Sequence, residues 1–342
     1  MPFTFDAVLV IAFGGPRGPA DVRPFLENVL RGRRVGPGRL DEVAHHYDLF
    51  GGVSPLTELT MRQAAGLRAA LAEAGAPLPV YVGMRNWHPF LADTLAEMSR
   101  AGVRRAIGFI ASAHRSYSGC AQYRENVAEA RRQLAARGLP GVQVTYVADW
   151  HDHPAFIAAS ADNVIEAIRR LPDRHRAGAR LIFTAHSIPA AMAERYPYRA
   201  QVGETARLVA EAVAARAPDL APRLPHAVVY QSRSGRPEDP WLEPDVGDYL
   251  RAQHAAGLQA AILVPAGFIC DHVEVLYDLD VEAAGVCRTL GLPMVRAQAV
   301  NDHPAFLDMM AEVVLDVCRR YARGRALDVV VPGADKEKEN KR

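Results

Sequence analysis

The feature that most restricts this chain is a rhythm: eight short β-branched runs separated by longer Ala-, Arg-, Glu- and Leu-rich amphipathic stretches. Such alternation predicts βαβ units around parallel sheets whose strands are buried on both faces. The first four runs are AVLVIAF (7–13), PVYVGM (79–84), RRAIGFI (104–110) and VQVTYVA (142–148). The second four are ARLIFTA (179–185), HAVVYQ (226–231), QAAILVPA (259–266) and PMVRA (293–297). Four and four predicts two similar halves, and a verbatim repeat supports this. DHPAF occurs at 152–156 and again at 302–306, each time just after the last run of its set. The repeat reads as a helix start, with Asp as the cap, Pro near the first helical position and Phe opening the buried face. On that reading His153 and His303 are structural, and RNWHPF (85–90) is a related form. The expected fold is α/β, with two doubly wound parallel-sheet halves at 5–148 and 149–302. A helix near 303–323 is expected to pack back on the first domain. The link between halves is expected near 169–180, and the polar tail 332–342 is expected to be disordered.

At 342 residues, 49% hydrophobic and 23% charged, the chain is long enough for two ordinary cores. A formal net charge of +1 gives no global field for nucleic acid or an anionic membrane as the main partner. MPFTFDAVLVIAFGG has no basic lead-in before its strand-like run, which argues against a signal peptide. The longest strongly apolar stretch, AAILVPAGFIC, is about half of the ~20 residues a membrane span needs. A cytoplasmic protein without a transmembrane segment is therefore expected. Cys120, Cys270, Cys287 and Cys318 are far apart and form no CxxC pair. Neither a zinc ribbon nor a disulfide framework is indicated.

Ligands of doubly wound sheets bind beyond the carboxyl ends of the strands, so the chemistry should lie there, in the cleft between the halves. The first run ends in AFGGPRGP, which has no GxGxxG and weakens any dinucleotide reading. The third ends in ASAHRSYSGCAQYRE, the fifth in FTAHSIP, the sixth in YQSRSGRPEDPWLEPD and the seventh in PAGFICDHVEVLYDLD. His186, held between a buried run and Ser-Ile-Pro, would be rigid and presented to the cleft. The seventh terminus delivers Glu274, Asp278 and Glu282 at four-residue steps. In an α-helix these stack along one side, against a repulsion of a few tenths of a kcal/mol per pair. The plain alternatives are a satisfied strand-end histidine and a solvated helix face.

Together LVIAFGGP, HYDLFGGVSPL, LIFTAHSIP, YQSRSG…PWLEPDV and VPAGFICDHVEVLYDLDVEA resemble the successive signatures of ferrochelatases. The resemblance runs from about residue 5 to 320, and FLENVLRGR makes it most similar to the bacterial coproporphyrin-type branch. It implies two Rossmann-like domains enclosing a porphyrin cleft, and insertion of Fe2+ into coproporphyrin III in haem synthesis, with iron as a substrate. The chemistry fits: two inner N–H protons must leave while a hydrated divalent cation enters. An imidazole can take a proton near neutral pH, and carboxylates suit a cation that keeps waters. His186 and Glu274 are the implied catalytic pair. With Asp278 and Glu282 they form a metal or proton path.

Propionates call for cationic and hydroxyl anchors, and the macrocycle for aromatic or apolar walls. LRGRRVGPGRL (30–40) supplies Arg31, Arg33 and Arg34, while Ser54 and Tyr123 match propionate-binding positions of similar enzymes. Trp241 could wall the pocket or belong to the core. Phe13 replaces a common tyrosine, so it could pack on the ring but offer no phenol oxygen to metal. Leu30 and His46 replace arginines found in relatives. No cysteine follows Cys318, so no iron–sulfur cluster and no required cofactor are expected. A monomer is expected, making transient contact with neighbouring haem-pathway enzymes. The alternatives are a protoporphyrin IX ferrochelatase, a related cobalt or nickel chelatase, and a non-enzymatic porphyrin carrier.

Overall fold

Residues 4–32, 38–220, 224–234 and 238–324 are described by the computed structural model. Arg33, Arg34 and the 332–342 tail lie outside them. The first half runs β1 (Ala7–Ala12), α1 (Pro19–Leu30), α2 (Arg39–Asp48), α3 (Pro55–Glu73), β2 (Val80–Met84), α4 (Leu91–Arg100) and β3 (Arg105–Ile110). It continues through a π-helix, π1 (Tyr117–Ala121), α5 (Gln122–Ala136), β4 (Gln143–Tyr146) and α6 (Pro154–Arg170). The second runs α7 (Asp173–Arg176), β5 (Ala179–His186), α8 (Ala190–Arg195), α9 (Tyr198–Arg216), β6 (His226–Gln231), α10 (Val246–Ala255) and β7 (Ala260–Val264). It ends with α11 (Val273–Val275), a second π-helix, π2 (Leu276–Ala283), α12 (Ala284–Leu290), β8 (Met294–Arg296) and α13 (Pro304–Ala322).

All eight runs become strands, in two parallel sheets of the same order, β2-β1-β3-β4 and β6-β5-β7-β8. The period-2 pleat explains why the runs are apolar throughout: Val8, Val10 and Ala12 of β1 enter one core, and Ala7, Leu9 and Ile11 another. The last strand of each half is shorter than its apolar run, Gln143–Tyr146 and Met294–Arg296. The 169–180 link holds the end of α6 and the short α7.

One hydrophobic core crosses both halves. It runs from Val8 and Val10 of β1 through Phe156 of α6 and Phe306 of α13 to Phe183 of β5 and Ile262 of β7. Helix α6 packs on α9, β7 and β8, while α13 packs on α3, β3 and α6.

The DHPAF repeat starts both α6 and α13, with one correction. The cap is His and not Asp: His153 Nδ1 accepts from Ala155 N at 3.3 Å, and His303 Nδ1 from Ala305 N at 3.2 Å. Proline at the first helical position makes the residue before it the cap, and both histidines have the extended backbone a cap needs. The other ring nitrogens cross over reciprocally. His153 Nε2 faces Glu312 of α13 at 3.5 Å, and His303 Nε2 faces Asp162 of α6 at 3.6 Å.

Candidate active site

In each sheet the strand order reverses between the first and third strands of its half. Crossovers leave to opposite sides there and open a crevice at the strands' carboxyl ends. In the second half this switch point lies between β5 and β7. Strand β5 ends in His186, and the chain leaving β7 returns with Glu274 on α11. The two side chains meet, with His186 Nε2 3.8 Å from Glu274 Oε2. Both remain reachable, at 34% and 50% side-chain exposure. His186 Nδ1 lies against the Ser187 carbonyl. A carbonyl can only accept, so Nδ1 carries the proton of the neutral ring and Nε2 presents a lone pair beside the carboxylate.

The row of acids does not ride an α-helix, as the sequence suggested. Beyond α11 the chain widens into π2, with i→i+5 bonding. A turn of more than four residues makes the four-residue step fall just short of a full turn, where an α-helix overshoots it. Asp278 is the most enclosed of the three. It accepts from Gln231 Nε2 at 3.2 Å and from the Ser232 hydroxyl. Burial raises its carboxyl to about 7, with Glu274 and Glu282 adding repulsion and the two hydrogen bonds opposing the rise. Glu282 reaches solvent but is partly enclosed, which raises its carboxyl, and it accepts a hydrogen bond from the Tyr277 hydroxyl. Asp280 faces away from the row onto Arg296.

The loop carrying these acids is clamped from both halves. Arg296 pairs with Asp271 and Asp280, each at 2.8 Å. Asn301 exchanges two hydrogen bonds with Asp271, and Gln63 of α3 reaches Asn301 O at 2.7 Å and Cys270 Sγ at 3.1 Å. Helices α1 and α2 close over this region through a cluster of Phe13, Phe25, Tyr47, Trp87 and Val273. His46 of α2 stacks flat on Tyr277, with ring centroids 3.6 Å apart.

The remaining candidates scatter. Phe13 lies in that cluster, with the Arg85 guanidinium 5.9 Å from its ring centroid. Arg31 is exposed and donates to Asn28, while Arg33 is outside the described residues. Ser54 is 4% exposed and caps α3 by accepting from Leu56 N. Tyr123 is 6% exposed in the core beneath β1 and β3, where burial pushes its phenol up to about 12. Neither leaves much for a ligand to touch. Trp241 is half-buried and pairs its backbone with Pro189, three residues beyond His186.

Sequence reasoning missed His272, Ser232, Gln231 and Tyr47. His272 precedes α11 without a side-chain hydrogen bond to it, and its protonation is suppressed chiefly by burial. Ser232 holds a left-handed backbone, φ +58°, uncommon outside glycine and costly enough to need surrounding support. Both lie in motifs quoted for other residues, CDHVE and YQSRSG. A groove of about 860 Å3 along the β2 edge and a polar cleft of about 30 Å3 beside His114 and Cys120 both lie elsewhere. The chemistry and not the concavity marks the site.

Two parallel sheets of matched order, with a histidine and a carboxylate meeting at a switch point, define a chelatase-type α/β protein. Solved chelatase structures share this fold: SirB from Bacillus subtilis with Fe3+, at TM-score 0.55 and 11% identity, covers 94% of this chain and 99% of its own. The sirohydrochlorin chelatase SirB from Bacillus subtilis subspecies spizizenii, in complex with cobalt, gives 0.52 and 9% over the same shares. The ferrochelatase family model matches residues 5–317. The coproporphyrin III ferrochelatase of Streptomyces griseus is 44% identical over 96% of this chain and 89% of its own. That of Mycolicibacterium smegmatis is 45% identical over 91% and 89%. The chain belongs to the ferrochelatase family.

Proposed function

We propose that this chain is a coproporphyrin ferrochelatase, a lyase that inserts Fe2+ into coproporphyrin III and releases two protons. The single observation that carries the reading is the His186–Glu274 pair, 3.8 Å apart at the switch point and open to solvent. The lone pair on Nε2 takes a pyrrole N–H proton, and the imidazolium so formed is stabilised by the Glu274 carboxylate beside it. Glu274, Asp278 and Glu282 then form a path along π2 for the hydrated cation inward or protons outward. Asp278, with its carboxyl near 7, exchanges a proton readily at neutral pH. On this reading iron is a substrate that travels the path.

The choice of coproporphyrin over protoporphyrin is supported by the names of the similar enzymes. We read the protein as lacking an iron–sulfur cluster, since its four cysteines are scattered along the sequence and form no CxxC pair. Among the described residues no helix is long and apolar enough to cross a membrane, and we propose a cytoplasmic location and a monomeric state. The test mixes protein, Fe2+ or Zn2+, and either coproporphyrin III or protoporphyrin IX, and follows the Soret and Q bands. Faster conversion of coproporphyrin is expected; faster conversion of protoporphyrin overturns the substrate assignment.

A further inference from the structure

An imidazole at a strand end can swing unless its peptide is held, and here four hydrogen bonds hold it. The Tyr198 hydroxyl, at the first residue of α9, donates to the His186 carbonyl at 3.0 Å. Ser187 N donates to Gln231 O at 2.8 Å, and Ser187 Oγ donates to Leu242 O at 2.9 Å. That leaves the Ser187 carbonyl aimed at His186 Nδ1. Tyr198 is 5% exposed and Ser187 2%, so both act from behind the site. Burial keeps the phenol well above its usual range, and it stays a donor.

Tyr198 is itself fixed from the other half. Gln201 on α9 accepts from Arg115 N at 2.7 Å. Thr205 donates to His151 O at 2.9 Å, so its oxygen accepts from His114 Nε2 at 2.9 Å. The His114 ring meets Tyr198 edge-on, with centroids 6.3 Å apart. The position of His186 is therefore referred, through α9, to the carboxyl ends of β3 and β4.

We propose that Tyr198 and Ser187 are positioning residues for metal insertion: they hold the 186–187 peptide so that Nδ1 keeps its proton and Nε2 faces Glu274. This rests on reading His186 as the base.

The test compares Tyr198→Phe and Ser187→Ala with the wild-type full chain, two variants so that poor folding of one leaves the other informative. Each is expected to lower kcat per folded molecule roughly 5- to 100-fold, the range for small misplacement of a catalytic group, with KM for coproporphyrin III little changed. Imidazole 15N NMR should show His186 as the Nδ1–H tautomer in the wild type and as a tautomer mixture in the variants. A merely structural role would lower the melting temperature and move neither kcat per folded molecule nor the tautomer. That outcome overturns the proposal, provided His186→Ala is inactive in the same assay. If His186→Ala turns over normally, the base assignment fails first and takes this inference with it.

Discussion

Asp278 carries the clearest pH signature at the scale of single residues. Its folded carboxyl sits at about 7, against about 3.9 for a free aspartate. The folded state thus holds the proton more tightly than the unfolded one. Stability falls as pH rises from about 4 to about 7, and the loss is complete above that window. Asp278→Asn has no charge to bury and keeps an oxygen for Ser232 and Gln231. Its melting temperature relative to wild type should therefore improve from pH 5 to pH 8; a gap that does not change with pH contradicts this. At this scale the sequence was legible where a residue closes a strand, as His186 does. It was opaque for Tyr198 and Ser232, whose contacts lie 12 and 46 residues away and leave no local pattern.

At the scale of elements, the strands followed from apolar runs and turn-rich ends, but their order and π2 did not. Nothing in LYDLDVEA separates i+4 from i+5 bonding by residue preference; the choice is made by what the segment packs against. Leu279 and Ala283 enter the core on one side, while Arg296 ties Asp271 and Asp280 on another. The Arg296 and Asp271 side chains are 12% and 11% exposed. Arg296→Met leaves the buried Asp271 without its cation and should cost about 3–5 kcal/mol, as breaking a buried pair does. Denaturant unfolding measures this, and a loss under about 1 kcal/mol refutes the clamp. The turn after β7 has its own limit. A Cβ on Gly267 would lie 2.6 Å from the Ala185 backbone, beside His186. Gly267→Ala should lose about 1–3 kcal/mol to overpacking and lose turnover with it. Gly203→Ala on α9, with nothing within 4 Å, should keep both.

Over the whole molecule, length and repeat predicted two similar halves, and the sheets repeat strand for strand. What they could not give was the seam. One apolar core joins Val10, Phe156, Phe183 and Phe306, and reciprocal His153–Glu312 and His303–Asp162 contacts tie α6 to α13. DHPAF is local in sequence, whereas the pairing it produces spans about half the chain. A shared core predicts one cooperative unfolding transition. Calorimetry should give a single peak; two separated peaks would mean that the halves melt independently. The seam also brings α9 behind His186 and α3 behind the 270–283 loop, so that β5 and π2 present one imidazole and one carboxylate to the same space. The most direct measurement is anaerobic absorbance with Fe2+ and coproporphyrin III for wild type, His186→Ala and Glu274→Gln. Wild type should convert the free-base bands to those of the iron complex. His186→Ala should bind the porphyrin without converting it, and Glu274→Gln should convert it at least about tenfold more slowly. Normal turnover by His186→Ala would contradict the account.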